Sequence, residues 1–277
     1  MSLMCDTGRM SNVTLNSNPG YMEIYNFEKF PDSWRLWGWC NWQLGIYAAF
    51  VYMVALAVGA RFMENRAPFK LKGALIGWNF GLALFSGVSF FRVLPEILNA
   101  IGTSGVLKSF CKLEEANHAT YFWALMFAVF KIIEFGDTAF IILRKQKLIF
   151  LHWYHHVTVC IYGWFLWSTY DPVGRYFFAI NAFVHSIMYS YYGLRSVHVK
   201  WLPSYLPMTI TVIQIAQMFA GVFISLYTAR VILSGGDCDR PWSNIIVALA
   251  MYFSYFALFL NFFYHRYFLN TKTKKVE

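Results

Sequence analysis

The sequence predicts an all-α integral membrane protein of seven transmembrane helices, with a lumenal N-terminus and a cytosolic C-terminus. Three observations carry that expectation. The chain is 58% apolar and only 13% charged, too apolar for a soluble domain of its length. Apolar runs long enough to span a bilayer fall near 38–60, 73–95, 118–142, 148–168, 175–195, 205–233 and 241–268. With the N-terminus outside, 13 of the 23 lysines and arginines collect in short cytosolic loops and the tail, as the positive-inside rule expects.

Each element has its own reason. Residues 1–33 read as a lumenal tail without the apolar core of a cleavable signal peptide. Asn12-Val13-Thr14 is a glycosylation triplet on the permissive side. The membrane domain covers 34–268, and its first span serves as anchor. That span ends on Arg61, Arg66, Lys70 and Lys72, which hold the first loop in the cytosol. The second span returns to a loop holding Cys111. The third runs to the cytosol and carries Lys131, Glu134, Asp137 and Thr138 before a basic stop at Arg144, Lys145 and Lys147. From that stop the fourth span meets His152, His155 and His156. After a short polar break at Ser168–Gly174, the fifth carries Asn181 and His185 and ends at Arg195 and Lys200. The sixth starts after Pro207, presents Thr211, Gln214 and Gln217, and leads to a loop with Cys238. The seventh ends in a basic cytosolic tail, 269–277, where Lys274 and Lys275 resemble the dilysine retrieval signal of endoplasmic reticulum membrane proteins.

The net charge of +9 follows from this topology and gives no reason to invoke nucleic acid. Cys111 and Cys238 both fall in loops expected to face an oxidising lumen. A disulfide between them is expected, with two free thiols as the alternative. Cys5, Cys40 and Cys160 suggest no pairing.

The polar residues of four spans meet at one depth. At about 1.5 Å per residue, each lies roughly 6–20 Å inside the cytosolic boundary. Residues 131, 134 and 138 form one helical stripe, and 211, 214 and 217 another. Scattered structural polar residues would not align this way, so one polar chamber is expected in the cytosolic half. Ionisable groups are costly at membrane depth and mark working sites. The lumenal half offers apolar and aromatic side chains, suited to an alkyl chain but equally to ordinary packing.

Three readings of the histidines compete. His152 and His156 share a helical face, and Glu134 or Asp137 would complete a metal site, but only four of the seven histidines can reach the chamber, too few for a di-iron centre. Structural hydrogen bonding is the usual role of one membrane histidine and a poor account of four at one depth. Nucleophilic and acid–base chemistry fits best. Imidazole, with an ordinary pKa of about 6.5, is largely neutral in the cytosol and attacks a thioester without prior activation. Cys160 shares the face of His156 but sits deeper among apolar residues, where a thiolate is disfavoured, and it reads as packing.

At these residues the chain resembles the ELO family of very-long-chain fatty acid elongases. Lys131-Ile-Ile-Glu134-Phe-Gly-Asp137-Thr138 fits K-x-x-E-x-x-D-T, and His152-Trp-Tyr-His155-His156 fits H-x-x-H-H. Asn181-Ala-Phe-Val-His185-Ser-Ile-Met188-Tyr189 fits N-x-x-x-H-x-x-M-Y, and Thr211-Val-Ile-Gln214-Ile-Ala-Gln217 fits T-x-x-Q-x-x-Q. The resemblance implies a seven-helix barrel in the endoplasmic reticulum enclosing an acyl tunnel. It implies 3-oxoacyl-CoA synthase activity on a long-chain acyl-CoA, with malonyl-CoA as co-substrate and neither metal nor nicotinamide. His155 becomes the acyl acceptor. His152 and His156 orient it and move protons, Asp137 and Glu134 support them, and His185 assists the malonyl half-reaction. Asn181, Tyr189, Gln214 and Gln217 line the substrate site, and Lys131, Arg144 and Lys147 answer CoA phosphates. Trp153-Tyr154 resembles the branch acting on saturated and monounsaturated chains. A homodimer and contact with other elongation-cycle enzymes are family-based expectations. The rivals are a seven-helix receptor, whose polar groups would lie nearer the outside, and a lipid carrier, which needs the tunnel but not the histidines.

Overall fold

A computed structural model describes residues 14–29, 31–113 and 116–269. Asn12, Lys274, Lys275 and Cys5 lie outside these residues. Among the described residues the chain is helical, with no strand beyond an isolated bridge between Asn16 and Asn117. A short helix α1 (Asp32–Cys40) leads into α2 (Leu44–Met63) and α3 (Lys72–Ser104), and a single turn α4 (Val106–Ser109) follows. Then come α5 (His118–Ile133), α6 (Gly136–Leu143), α7 (Phe150–Ser168), α8 (Gly174–Ser196), α9 (Leu206–Leu233) and α10 (Trp242–Tyr264).

Helices thus occupy all seven expected apolar stretches, with α5 and α6 sharing one. Four segments, α2, α3, α9 and α10 continued to Leu269, are long and apolar enough to cross a membrane. The chain is a multi-pass membrane protein. In α7 and α8, histidines, Asn181 and many Trp and Tyr residues lower the apolarity. Side chains such as Phe50, Leu84, Phe91, Phe219 and Phe253 stand exposed on the outer faces, which suits a hydrocarbon surround.

Three details depart from the sequence reading. The second stretch does not stop at 95, because α3 continues past Pro95 to Ser104. The third is interrupted at Glu134–Phe135, where the Glu134 N–H bonds Phe130 O at 2.7 Å and the Asp137 N–H restarts on Glu134 O at 3.0 Å. Gly136 follows at once, and a Cβ there would collide with the Trp78 ring. Glycine is what lets α3 reach this joint. Finally, Cys40, expected to stay unpaired, is disulfide-bonded; chain spacing alone does not show which distant thiols folding brings together.

The bundle is assembled by α3 against α8, α9 against α10, and α2 and α5 against α7. Its main core gathers Tyr162, Phe177, Phe178, Met218, Met251, Tyr252 and Tyr255 from α7 to α10. One end is locked by covalent and ionic ties. Cys111 and Cys238 are joined as a disulfide. Nearby, Arg240 Nε donates to Asp171 Oδ2 at 3.1 Å, and Arg175 Nη1 to Glu96 Oε1 at 3.2 Å. All four groups are buried, so each charge needs its partner. The N-terminal segment docks at the same end. Glu28, fully buried, accepts from Arg92 at 2.6 and 2.8 Å and from Trp123 Nε1 at 2.7 Å. The Asn16 N–H donates to Ala116 O at 2.8 Å.

Candidate active site

The interruption after α5 decides how the two carboxylates of the site are used. Lys131, on the last turn of α5, is buried and donates to Glu134 Oε1 at 2.8 Å, to Glu134 Oε2 at 3.0 Å and to Asn181 Oδ1 at 3.1 Å. It also lies 4.3 Å from the centre of the Phe127 ring. This geometry does not fit the phosphate contact expected of Lys131: the ammonium is consumed inside the bundle, where its hydrogen bonds and counter-charge offset burial. Glu134 also approaches His185, with Nδ1 to Oε1 at 3.4 Å. That contact is electrostatic and at the outer edge of hydrogen-bond range.

Asp137, just beyond the joint, serves a second set of partners. Trp78 Nε1 donates to its Oδ1 at 2.6 Å and the Tyr189 hydroxyl to its Oδ2 at 2.6 Å. His156 Nε2 stands 4.0 Å from Oδ2. Thr138 continues the cluster: its hydroxyl lies 3.0 Å from His152 Nε2 and 2.7 Å from the Tyr52 hydroxyl. The His152 and His156 rings are 4.4 Å apart, as residues four apart on one helix face should be.

His155 is oriented differently. Its ring is 5.6 Å from His156 at nearly a right angle and 5.0 Å from Tyr255. The ring nitrogens of His155 bond no described side chain. Instead the residue lines a cavity, with Asn181, Gln217, Met218 and Tyr255 among the other walls. The backbone below it is pinned, since the Tyr255 hydroxyl donates to His155 O at 3.3 Å and lies 2.6 Å from Thr158 Oγ1. One imidazole of the triplet therefore faces a cavity, while His152 meets Thr138 and His156 stands beside Asp137 beyond hydrogen-bond range.

The remaining expected residues spread out. Gln214 Nε2 points at Met188 Sδ, 3.4 Å away. Arg144 is half-buried at the end of α6, and Lys147 is exposed in the turn before α7. Cys160 is buried and free, its sulfur 3.9 Å from Gly45 O, consistent with packing. Among the described residues no cluster of histidine, cysteine and carboxylate side chains has metal-site geometry.

Residues 37–275 match the model of the ELO family, described as GNS1/SUR4. The chain belongs to this family. Very long chain fatty acid elongase 6 of Drosophila melanogaster is 40% identical over 264 residues, covering 93% of this chain and 83% of its own length. Very long chain fatty acid elongase 3 of Homo sapiens is 39% identical over 244 residues, covering 88% and 89%. The fatty acid elongase family thus supplies the setting for the site: an elongation enzyme embedded in a membrane.

Sequence reasoning missed Trp78, Tyr52 and Tyr255. Each belongs to a stretch read as plain apolar span. The available signal was that a buried Trp N–H or Tyr O–H seeks a partner, which singles out a residue type but not which of many will reach the elongase site.

Proposed function

We propose that this protein is the condensing enzyme of fatty acid elongation, a 3-oxoacyl-CoA synthase joining a long-chain acyl-CoA to malonyl-CoA. The observation that carries the reading is that His155, alone of its triplet, lines this largely apolar cavity. In the first half-reaction a neutral His155 nitrogen attacks the thioester carbonyl. The C–S bond breaks, CoA leaves as the thiol after taking up a proton, and an acyl-imidazole remains. In the second, malonyl-CoA loses carbon dioxide, and its α-carbon displaces the imidazole, which takes up a proton as it leaves, to give a 3-oxoacyl-CoA two carbons longer. His152 and His156, positioned by Thr138 and Asp137, handle protons in the first half. His185, oriented by Glu134, assists decarboxylation in the second. Asn181, Gln217 and Gln214 meet substrate carbonyl groups, while Arg144 and Lys147 answer the CoA phosphates. Neither metal nor nicotinamide takes part.

The same proposal sets the chain in the endoplasmic reticulum with seven crossings and a lumenal N-terminus. Asn12 and the disulfide loops then face an oxidising, glycosylating compartment, and Lys274 and Lys275 face the cytosol. Trp153 and Tyr154 favour saturated or monounsaturated chains. A homodimer and association with the later enzymes of the elongation cycle complete the proposal.

The test is incubation of purified protein with palmitoyl-CoA and malonyl-CoA, without NADPH, beside His155→Ala. Mass spectrometry of 3-oxo-octadecanoyl-CoA in wild type alone supports both reaction and nucleophile. Absence of product across acyl lengths in folded protein would overturn the reading and favour a lipid carrier.

A further inference from the structure

The cavity at His155 has a neighbour. A second extends toward the disulfide end and is lined by Leu15, Ala124, Trp167, Tyr170 and Gly174, with the paired charges Glu96, Asp171 and Arg175 also in its wall. The two cavities share four wall residues: Phe127, Gly163, Leu166 and Phe178. These form a waist. Phe127 and Phe178 meet edge to face with ring centres 4.7 Å apart, and Gly163 and Leu166 face them from one side of α7.

Gly163 is the informative residue. Glycine in a helix often marks a close approach of two backbones, and α5 does pack on α7 here. A Cβ at Gly163 would nevertheless meet only Lys131 Cγ at 3.8 Å and Ala128 Cα at 4.0 Å, ordinary contact distances. Packing therefore admits alanine at this position. A glycine costs helix stability, and this one stands bare in the wall that both cavities share. Gly163 lies eight residues past His155 on α7, about 12 Å along the axis. Leu15 stands in the wall of the far chamber, and the neighbouring Asn16 is bonded to Ala116.

We propose that Gly163 with the Phe127–Phe178 pair forms a gate that sets acyl length: short chains end at the waist, and long ones pass it into the far chamber. The proposal rests on the elongase reading, since it takes the cavity at His155 as the acyl site. Filling the gate shortens the accepted chain, and removing an aromatic ring from it lengthens the chain.

The experiment compares wild type, Gly163→Val, Gly163→Ala and Phe178→Ala over lauroyl-, palmitoyl-, stearoyl- and lignoceroyl-CoA. It reads kcat/KM for condensation and, in parallel, the Kd of each acyl-CoA. The lauroyl-to-stearoyl ratio is expected to rise about ten-fold or more in Gly163→Val, the effect of a methylene or two in a tight apolar slot. It should rise less in Gly163→Ala and fall in Phe178→Ala. Should Gly163→Val not fold, the opposed shifts of the two alanine variants carry the same test. Unchanged ratios in folded variants, including a loss uniform across lengths, overturn the gate. Condensation by wild type with unchanged ratios would leave the elongase reading standing and the gate refuted. Shifted Kd ratios without any condensation would do the reverse.

Discussion

Tyr189 on α8 donates a 2.6 Å hydrogen bond to Asp137 on α6, opposite the 2.6 Å bond that Asp137 accepts from Trp78 on α3. Three helices are thereby tied through one carboxyl group. Tyr189→Phe removes one tie while keeping the ring. We expect a loss of about 1–3 kcal/mol of stability, the cost of leaving a buried polar group short of a partner. Condensation should fall as His156 loses a fixed neighbour. A thermal midpoint in detergent and a single-turnover rate for wild type, Tyr189→Phe, Trp78→Phe and the double variant would show the coupling as non-additivity.

His185 is held 3.4 Å from Glu134, on a different helix from the histidine triplet. If it serves the malonyl half-reaction, His185→Ala still releases CoA from palmitoyl-CoA in a burst stoichiometric with enzyme. Formation of the 3-oxo product should drop by about 10²–10⁴-fold, the range for a lost acid–base group. Equal loss of burst and product would contradict the assignment.

The Lys131–Glu134 pair is buried. Removing either charge alone, as Lys131→Met or Glu134→Gln, leaves the other unpaired and should cost about 3–5 kcal/mol. The double variant Lys131→Met with Glu134→Leu should recover much of that stability without recovering activity, because His185 and Asn181 lose their shared neighbour. Thermal midpoints and activity, read together, separate the two effects.

The docking of the N-terminal segment is sensitive to acid. Burial alone would raise the Glu28 carboxyl, but hydrogen bonds from Arg92, Trp123 and the Tyr25 N–H outweigh it and hold the group below its ordinary 4.5. Stabilisation from a lowered carboxyl is complete above the unfolded value and disappears as pH falls through the folded one. The gap in thermal midpoint between wild type and Glu28→Gln should therefore be widest near neutrality and shrink below about pH 4.5. A constant gap down to strong acid would refute this.

The Cys111–Cys238 disulfide closes a span of 127 residues. A Cys111→Ala, Cys238→Ala variant should lose about 2–5 kcal/mol of stability. Since both loops lie at the end away from His155, catalytic turnover of the folded fraction should change far less than the unfolding midpoint.

Much of the site was legible because its residues are chemically conspicuous where they stand. Ionisable groups in an apolar stretch need no partner in view to attract notice, and their depths could be compared by counting residues. Less legible was which imidazole faces the cavity: His152, His155 and His156 differ by fractions of a turn, and only packing against Thr138, Asp137 and Tyr255 tells them apart. The docking of Glu28 was invisible because Arg92 and Trp123 lie 64 and 95 residues away. The joint at Glu134–Phe135 was hidden for another reason. Its flanks keep helical periodicity, and Gly136 reveals its purpose only once Trp78 is seen against it.

That joint has an electrostatic consequence. In an unbroken helix Glu134 and Asp137, three apart, would stand on one face, where two acids compete for one proton and repel each other when both are ionised. Across the joint Glu134 meets Lys131 and His185, while Asp137 meets Trp78 and Tyr189 and stands 4.0 Å from His156. Two acids that sequence places side by side thus divide their partners, leaving His155 as the imidazole that faces the cavity.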